Sequence, residues 1–202
     1  MIRAAIFDLG QVLVWFDNKI FLRKLAEHAG LELERLRAAV HENLDLIRAF
    51  DRGEISPAEF HQEVCAALGL EIEADLFFEY YEDIFAANAP VLEIVRRLKA
   101  AGYLLVLLSN TDVVRYAFIQ RRFPETQTFD AYVLSYEVGL MKPDPAIYLE
   151  AGRRAGAKPA DCVFIDDLAE NVEAARAAGM HALHYAPETD LAAELRTLGL
   201  VF

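Results

Sequence analysis

The sequence predicts an α/β fold: a Rossmann-like parallel sheet with helices on both faces, into which a block of helices is inserted near the start. Three observations predict it. Short apolar runs without polar alternation recur along the chain, as expected of strands covered on both faces. Helical patterns separate the later runs, and such alternation of strand and helix builds a parallel sheet. One long early stretch carries helical periodicity alone.

The apolar runs are AAIF (4–7), YLLVLL (103–108), AYVL (131–134), CVFI (162–165) and HALHY (181–185). Helical patterns precede three of the last four: VLEIVRRLKAAG (91–102), PAIYLEAGRRAG (145–156) and NVEAARAAG (171–179), ending in Gly102, Gly156 and Gly179, each a natural stop just past a helix. From about residue 18 to residue 87 nothing reads as a strand. NKIFLRKLAEHAG, LERLRAAVHENLDLIRAF, SPAEFHQEVCAALG and ADLFFEYYEDIF all have helical spacing. Asp17 is placed to cap the first of these, and Ser56-Pro57-Ala58-Glu59 is a capping box with proline at the first helical position. The predicted division is a core of residues 1–16 and 88–202 with a helical cap over 17–87.

The chain has 202 residues, 32 of them acidic and 20 basic, and a formal net charge of −12. A field of that sign repels nucleic acid and anionic membrane, so neither is an expected partner. A phosphate ester would also be repelled unless cations were concentrated at its site. The two cysteines, Cys65 and Cys162, have no metal-binding spacing and read as small core residues. The start, MIRAAIFDLG, lacks the charged and long apolar regions of a signal peptide, and YLLVLL is too short to cross a bilayer. The expected address is the cytoplasm. The composition leaves monomer and homodimer open.

Ligands of open parallel sheets bind beyond the carboxyl ends of the strands, so the residues just past each run are the informative ones. Asp8 follows AAIF, Ser109 and Asn110 follow YLLVLL, Lys142 lies in the loop after AYVL, and Asp166-Asp167 follows CVFI. Singly, each has an ordinary explanation as a turn former, a helix cap or a solvated loop residue. Two adjacent carboxylates at the end of a buried strand are less ordinary, because their repulsion needs a compensating charge. Together the four positions supply a carboxylate nucleophile, oxygen ligands for a divalent cation, and a lysine and hydroxyl for phosphoryl oxygens. With no His or Cys cluster, Mg2+ suits these donors better than zinc.

FDLGQVLVWFD (7–17), LLSNTD (107–112), GLMKPDPAIY (139–148) and FIDDLAENVEAARAAGM (164–180) resemble, in order and spacing, the four motifs of the haloacid dehalogenase (HAD) superfamily. The insert after the first motif resembles the helical cap of its C1-capped members. The resemblance implies that Asp8 is the nucleophile and a metal ligand, that Ser109 binds phosphate with Asn110 beside it, and that Lys142 steadies nucleophile and phosphate. It implies that Asp167 contacts the metal, that Asp166 is a ligand or its neighbour, and that Asn171 orients the loop. The implied activity is hydrolysis of a small phosphomonoester, a sugar phosphate among the candidates, through an aspartyl phosphate.

Most phosphatases of the superfamily read DxDGT, with a second Asp acting as acid and base; here that place is Gly10. The Gly10 carbonyl can still ligate a metal, but glycine cannot protonate a leaving group. The DLGxVL form resembles a branch that contains bacterial phosphatases of α-D-glucose 1-phosphate. Two alternatives stay open: a metal-independent 2-haloacid dehalogenase, a class that lacks the second Asp and also the acidic pair of motif four, and a phosphate-binding module with weakened turnover. In capped relatives the insert meets the leaving group, which makes Arg48, Arg52 and Trp15 candidates for substrate selection. His181 and His184, three apart in the last run, fall on opposite faces of a strand.

Overall fold

The computed structural model describes residues 1–202. Five parallel strands, β1 (Ala4–Phe7), β4 (Leu104–Ser109), β5 (Ala131–Leu134), β6 (Cys162–Asp166) and β7 (His181–His184), form one sheet in the order β5-β4-β1-β6-β7. β1 is central, and the chain winds away from it in both directions. That reversal of winding puts a crevice at the carboxyl ends of β1, β4 and β6.

The strands sort their side chains by the two-residue period of a pleat. Ala5 and Phe7 of β1 face a core shared with α6 (Ala89–Ala100), α7 (Val113–Arg122) and α11 (Leu191–Thr197), through Val95, Ile119 and Leu195. Ala4 and Ile6 face the other core, closed by α9 (Pro145–Arg154) and α10 (Ala169–Ala177), through Tyr148 and Val172. Both faces are dry, which is why the runs showed no alternation. A single turn, α8 (Ser135–Val138), leads from β5 toward the Lys142 loop.

Between β1 and α6 the chain forms α1 (Asn18–Ala29), α2 (Leu33–Glu42), α3 (Leu44–Asp51), α4 (Pro57–Leu68) and α5 (Ala74–Glu82). These helices bury a third core of Phe21, Leu25, Leu36, Phe50, Phe60, Phe77 and Tyr81, with the Phe50 and Phe60 rings stacked 4.2 Å apart. Asp17 caps α1, and the Ser56–Glu59 box caps α4. No helix is long and apolar enough to cross a membrane.

Two expectations need correction. The long helical pattern over 33–50 is two helices, broken at Asn43, whose side chain returns to the Ala39 carbonyl and competes with the helix backbone. The stretch expected to hold no strand ends in one: β3 (Phe85–Ala87) pairs antiparallel with β2 (Val14–Phe16). The strand Phe-Ala-Ala shows no local signal and exists only because β2 lies beside it. The resulting ribbon spans both junctions of the helical block.

α3 is seated closely on the sheet side. Gly53, just after it, has a φ of +70°, and a β-carbon there would meet the Tyr136 carbonyl oxygen. Gly53→Ala is expected to destabilise the protein by about 2–4 kcal/mol, combining left-handed strain with the clash, and so to lower the thermal midpoint by roughly 5–15 °C. Gly30→Ala, also left-handed but with open space around it, should show the smaller strain effect alone. Equal losses in thermal unfolding would contradict this seating.

Candidate active site at the ends of β1, β4 and β6

Asp8 continues β1 by one residue, its N–H donating to the Ile165 carbonyl at 2.9 Å, so its carboxylate emerges beside the end of β6. There the buried Lys142 ammonium lies 2.6 Å from Asp8 Oδ1 and 2.6 Å from Asp166 Oδ2. Lys142 is held from behind by Asn110, whose side-chain amide donates to the Lys142 carbonyl (2.9 Å) and accepts from its N–H (2.8 Å). The Asn110 side chain, expected on the phosphate, thus braces the lysine. Ser109, buried at the end of β4, makes only a 3.4 Å contact to the Asn110 carbonyl and keeps its hydroxyl for another partner.

The acidic pair divides by its hydrogen bonds. Asp166 Oδ2 takes the lysine, while Oδ1 accepts from the Leu168 N–H (2.8 Å) and Asn171 Nδ2 (3.0 Å). Both its oxygens are engaged, and Asn171 orients this loop from the first turn of α10. Asp167 is half-buried, and its carboxylate completes a group with Asp8 and Asp166 whose ligand oxygens lie within 4.8 Å of one another.

Three carboxylates therefore face one ammonium. Burial raises the Asp8 carboxyl above its ordinary range and Asp166 adds to that, with Lys142 opposing. Burial and then Asp166 raise Asp167. Burial pulls the Lys142 ammonium down, but Asp8 and Asp166 outweigh it and leave the lysine above its ordinary value. The cluster is short of positive charge. An oxygen-only donor set with excess negative charge fits a hard divalent cation such as Mg2+, and the cation would draw both raised carboxyls back to the ionised form.

The place of the missing acid is filled. A β-carbon on Gly10 would lie 2.8 Å from Cε1 of Phe16, so the ring occupies the space a second Asp would need. Gln11, where glycine is usual, holds a φ of +56° and donates from Nε2 to the Phe16 carbonyl at 2.9 Å, fixing the turn that presents the ring. The left-handed backbone of Gln11 carries strain that this bond offsets.

Beyond the phosphate side a cavity of about 230 Å³ opens between sheet and helices, lined by Gly10, Ser109 and Asn110 on one side and by Asp51, Asp112 and Arg115 on another. Asp112 caps α7 through its Oδ1, and its Oδ2 accepts from Tyr81 at 2.9 Å. The Arg115 guanidinium stacks 3.8 Å from the Tyr81 ring centroid and donates to Asn18 at 2.9 Å. Burial and then Asp112 push Asp51 up to about 7, with Arg115 and Arg52 opposing.

The residues expected to select the substrate lie elsewhere. Arg48 is exposed and pairs with Asp45, and Arg52 pairs with Glu54; neither lines this cavity. On α3 the inward face is set by Ile47 and, four residues on, Asp51, leaving Arg48 turned outward. Asp51 was missed, although its spacing from Ile47 is a signal. Trp15 stacks on Tyr185 with ring centroids 6.2 Å apart and packs the ribbon. His181 and His184 are exposed on the edge strand, and His184 Nε2 lies 2.8 Å from the Asp167 carbonyl.

Restoring an acid at residue 10 should fail because of Phe16. Gly10→Asp is expected to destabilise by about 1–3 kcal/mol. In a Phe16→Ala background the same change should cost at least about 1 kcal/mol less, measured by denaturant unfolding in a double-mutant cycle. Additive losses would show that the ring does not block the site.

A family profile described as haloacid dehalogenase-like hydrolase matches residues 2–179. The chain is 27% identical to a sesquiterpene phosphatase of Aspergillus oryzae over 199 residues, covering 97% of this chain and 96% of the relative. It is also 27% identical to a glyceraldehyde 3-phosphate phosphatase of Methanopyrus kandleri, covering 89% and 82%. A HAD family enzyme of Bacteroides thetaiotaomicron, solved with magnesium and inorganic phosphate, superposes with a TM-score of 0.86 at 23% identity, covering 97% of this chain and all of that one, and so shares the fold. With its four motifs converging on one crevice, the chain belongs to the haloacid dehalogenase-like hydrolases.

Proposed function

We propose that the protein is a magnesium-dependent phosphatase that hydrolyses a small phosphomonoester through an aspartyl phosphate on Asp8. The observation that carries this reading is the Lys142 ammonium 2.6 Å from both Asp8 and Asp166, in a three-carboxylate cluster short of positive charge. The phosphatase activities named for the two relatives agree with it. The cluster disfavours the metal-free dehalogenase reading, since three gathered carboxylates with Lys142 as their one ammonium keep a net negative charge that repels an incoming anion.

In this reading Asp8, the Gly10 carbonyl and Asp167 hold Mg2+, which when bound offsets the charge between carboxylate and phosphate. Asp166, engaged by Lys142, Leu168 and Asn171, holds the lysine rather than the metal. Asp8 attacks phosphorus with the oxygen not held by Lys142. Lys142 and Ser109 bind the phosphoryl oxygens, and these contacts strengthen as charge builds in the transition state. Residues 1–16 and 88–202 act as the core and 17–87 as a cap that shields the phosphoryl group from bulk water.

The shape of the cap favours an alcohol with an apolar part over a sugar. The cavity shares Asn18, Ile47 and Arg115 with a second one of about 120 Å³ inside the helical block, lined mainly by Phe21, Leu22, Val40, Phe60 and Leu68. Eleven of the 14 residues lining this second chamber are hydrophobic, a surface that suits a hydrocarbon portion of the substrate better than a sugar's hydroxyls.

Asp8→Asn should lower phosphatase kcat/KM by at least about 10³-fold, and chelation should abolish turnover until Mg2+ is restored. Halide release from a 2-haloacid in the presence of chelator would sink the reading. Among straight-chain alkyl phosphates, kcat/KM should rise about fourfold per methylene until the chamber is full, and Ala39→Phe should flatten that rise. A preference for hexose phosphates that Ala39→Phe leaves intact would overturn the apolar assignment alone.

A further inference from the structure

We propose that Asp51 is the acid that protonates the leaving alcohol, acting from the cap in place of the acid that Gly10 and Phe16 exclude from the first motif; this rests on the phosphatase reading. The cavity beside the phosphate site is lined by three charged residues, Asp51, Asp112 and Arg115. Arg115 is a guanidinium and does not give up a proton at neutral pH. Asp112 is spent: one carboxylate oxygen accepts from the Val114 and Arg115 N–H groups and the other from the Tyr81 hydroxyl. Asp51 alone has a carboxyl that accepts no hydrogen bond from the chain.

Its position is also fixed. Ser135 Oγ donates to the Asp51 carbonyl at 2.5 Å and accepts from the Thr111 N–H at 2.9 Å. One hydroxyl thus ties the end of α3 to the loop that carries Ser109, two residues from Thr111. Gly53 lies against the Tyr136 backbone just beyond, leaving no room for the turn to slide inward. Gly10, Asp51 and Ser109 line one cavity, so an alcohol leaving on the Ser109 side of the site meets the Asp51 carboxyl there.

The environment suits an acid. Asp112 at the cap of α7, Arg115 on α7 and Tyr81 on α5 are the groups around the carboxyl, and Arg52, paired with Glu54 outside the cavity, acts on it only through its charge. Burial and the Asp112 charge favour the protonated form, and the two arginines keep it titratable near neutrality, where acid–base catalysis is most effective. In the first step an Asp8 oxygen forms a bond to phosphorus, the bond from phosphorus to the alcohol oxygen breaks, and that oxygen takes the Asp51 proton to leave as the neutral alcohol. In the second, the Asp51 carboxylate takes a proton from the water that attacks the phosphorus of phospho-Asp8, and the bond from phosphorus to the Asp8 oxygen breaks to restore the Asp8 carboxylate. Inorganic phosphate leaves, and both residues return to their starting states.

The test compares Asp51→Asn with the unaltered protein on two esters under Mg2+, an alkyl phosphate with a strongly basic leaving group and p-nitrophenyl phosphate with a weakly basic one. Asp51→Asn should lower kcat/KM for the alkyl ester by about 10²–10⁴-fold, the usual share of a general acid, and at least about 30-fold more than for the nitrophenyl ester. The unaltered protein should lose alkyl-ester kcat/KM tenfold per pH unit above about 7, as the carboxyl ionises, and the variant should lack that limb. The same carboxyl binds its proton more tightly folded than unfolded, so Asp51→Asn should raise the thermal midpoint at pH 8.5 and not at pH 4. Equal losses on the two esters, or no loss on either, would overturn the acid assignment while the phosphatase reading stands. Turnover of neither ester by the unaltered protein would overturn that reading and the acid with it.

Discussion

The crevice depends on one ammonium held between two buried carboxylates. Lys142 sits 2.6 Å from Asp8 on the central strand and 2.6 Å from Asp166 on its neighbour, and so joins three segments that are far apart in the chain. Removing one partner of such a buried group typically costs about 3–5 kcal/mol, because the remaining charge is left without water or counterion. The site accordingly surrounds the lysine with support: Asn110 grips its backbone, and Leu168 and Asn171 saturate Asp166. Three carboxylates against one ammonium leave negative charge uncompensated, most openly at Asp167. That residual negative charge is the physical argument for a cation.

The same economy of space explains the first motif. Phe16 belongs to the ribbon at the junction of the helical block, and its ring fills the space that a β-carbon on Gly10 would take. A residue with a side chain at position 10 would push the ring, the ribbon and the helices behind it. Glycine here is thus a packing requirement as much as a chemical loss. In the proposed mechanism the proton donor is instead Asp51 at the end of α3, which lines the same cavity with Arg115 and Asp112.

Much of this was legible in the amino-acid order, for a topological reason. A parallel sheet gathers the carboxyl ends of its strands, so Asp8, Ser109, Asp166 and Asp167 could be brought together without knowing any loop. Lys142 stood in the loop after the third run, and Asn171 followed only from the resemblance of the fourth motif. What stayed hidden depends on contacts between distant segments. The β3 strand is too short and too small to signal itself, and the Phe16 ring above Gly10 is a relation of volumes that spacing does not encode. On α3 the charged residues drew the eye to Arg48 and Arg52, whereas the helical period from Ile47 points to Asp51.

The chemistry proposed for the crevice requires a cation held by Asp8, Asp167 and the Gly10 carbonyl opposite Lys142. A crystal structure of the protein soaked with Mg2+ and beryllium fluoride as the phosphoryl mimic tests it most directly. The account predicts the metal on Asp8, Asp167 and the Gly10 carbonyl, the mimic on the free oxygen of Asp8 within reach of Lys142 and Ser109, and Asp166 still bonded to Leu168 and Asn171. A metal bound without Asp8 and Asp167, or no metal with the mimic in place, would contradict it.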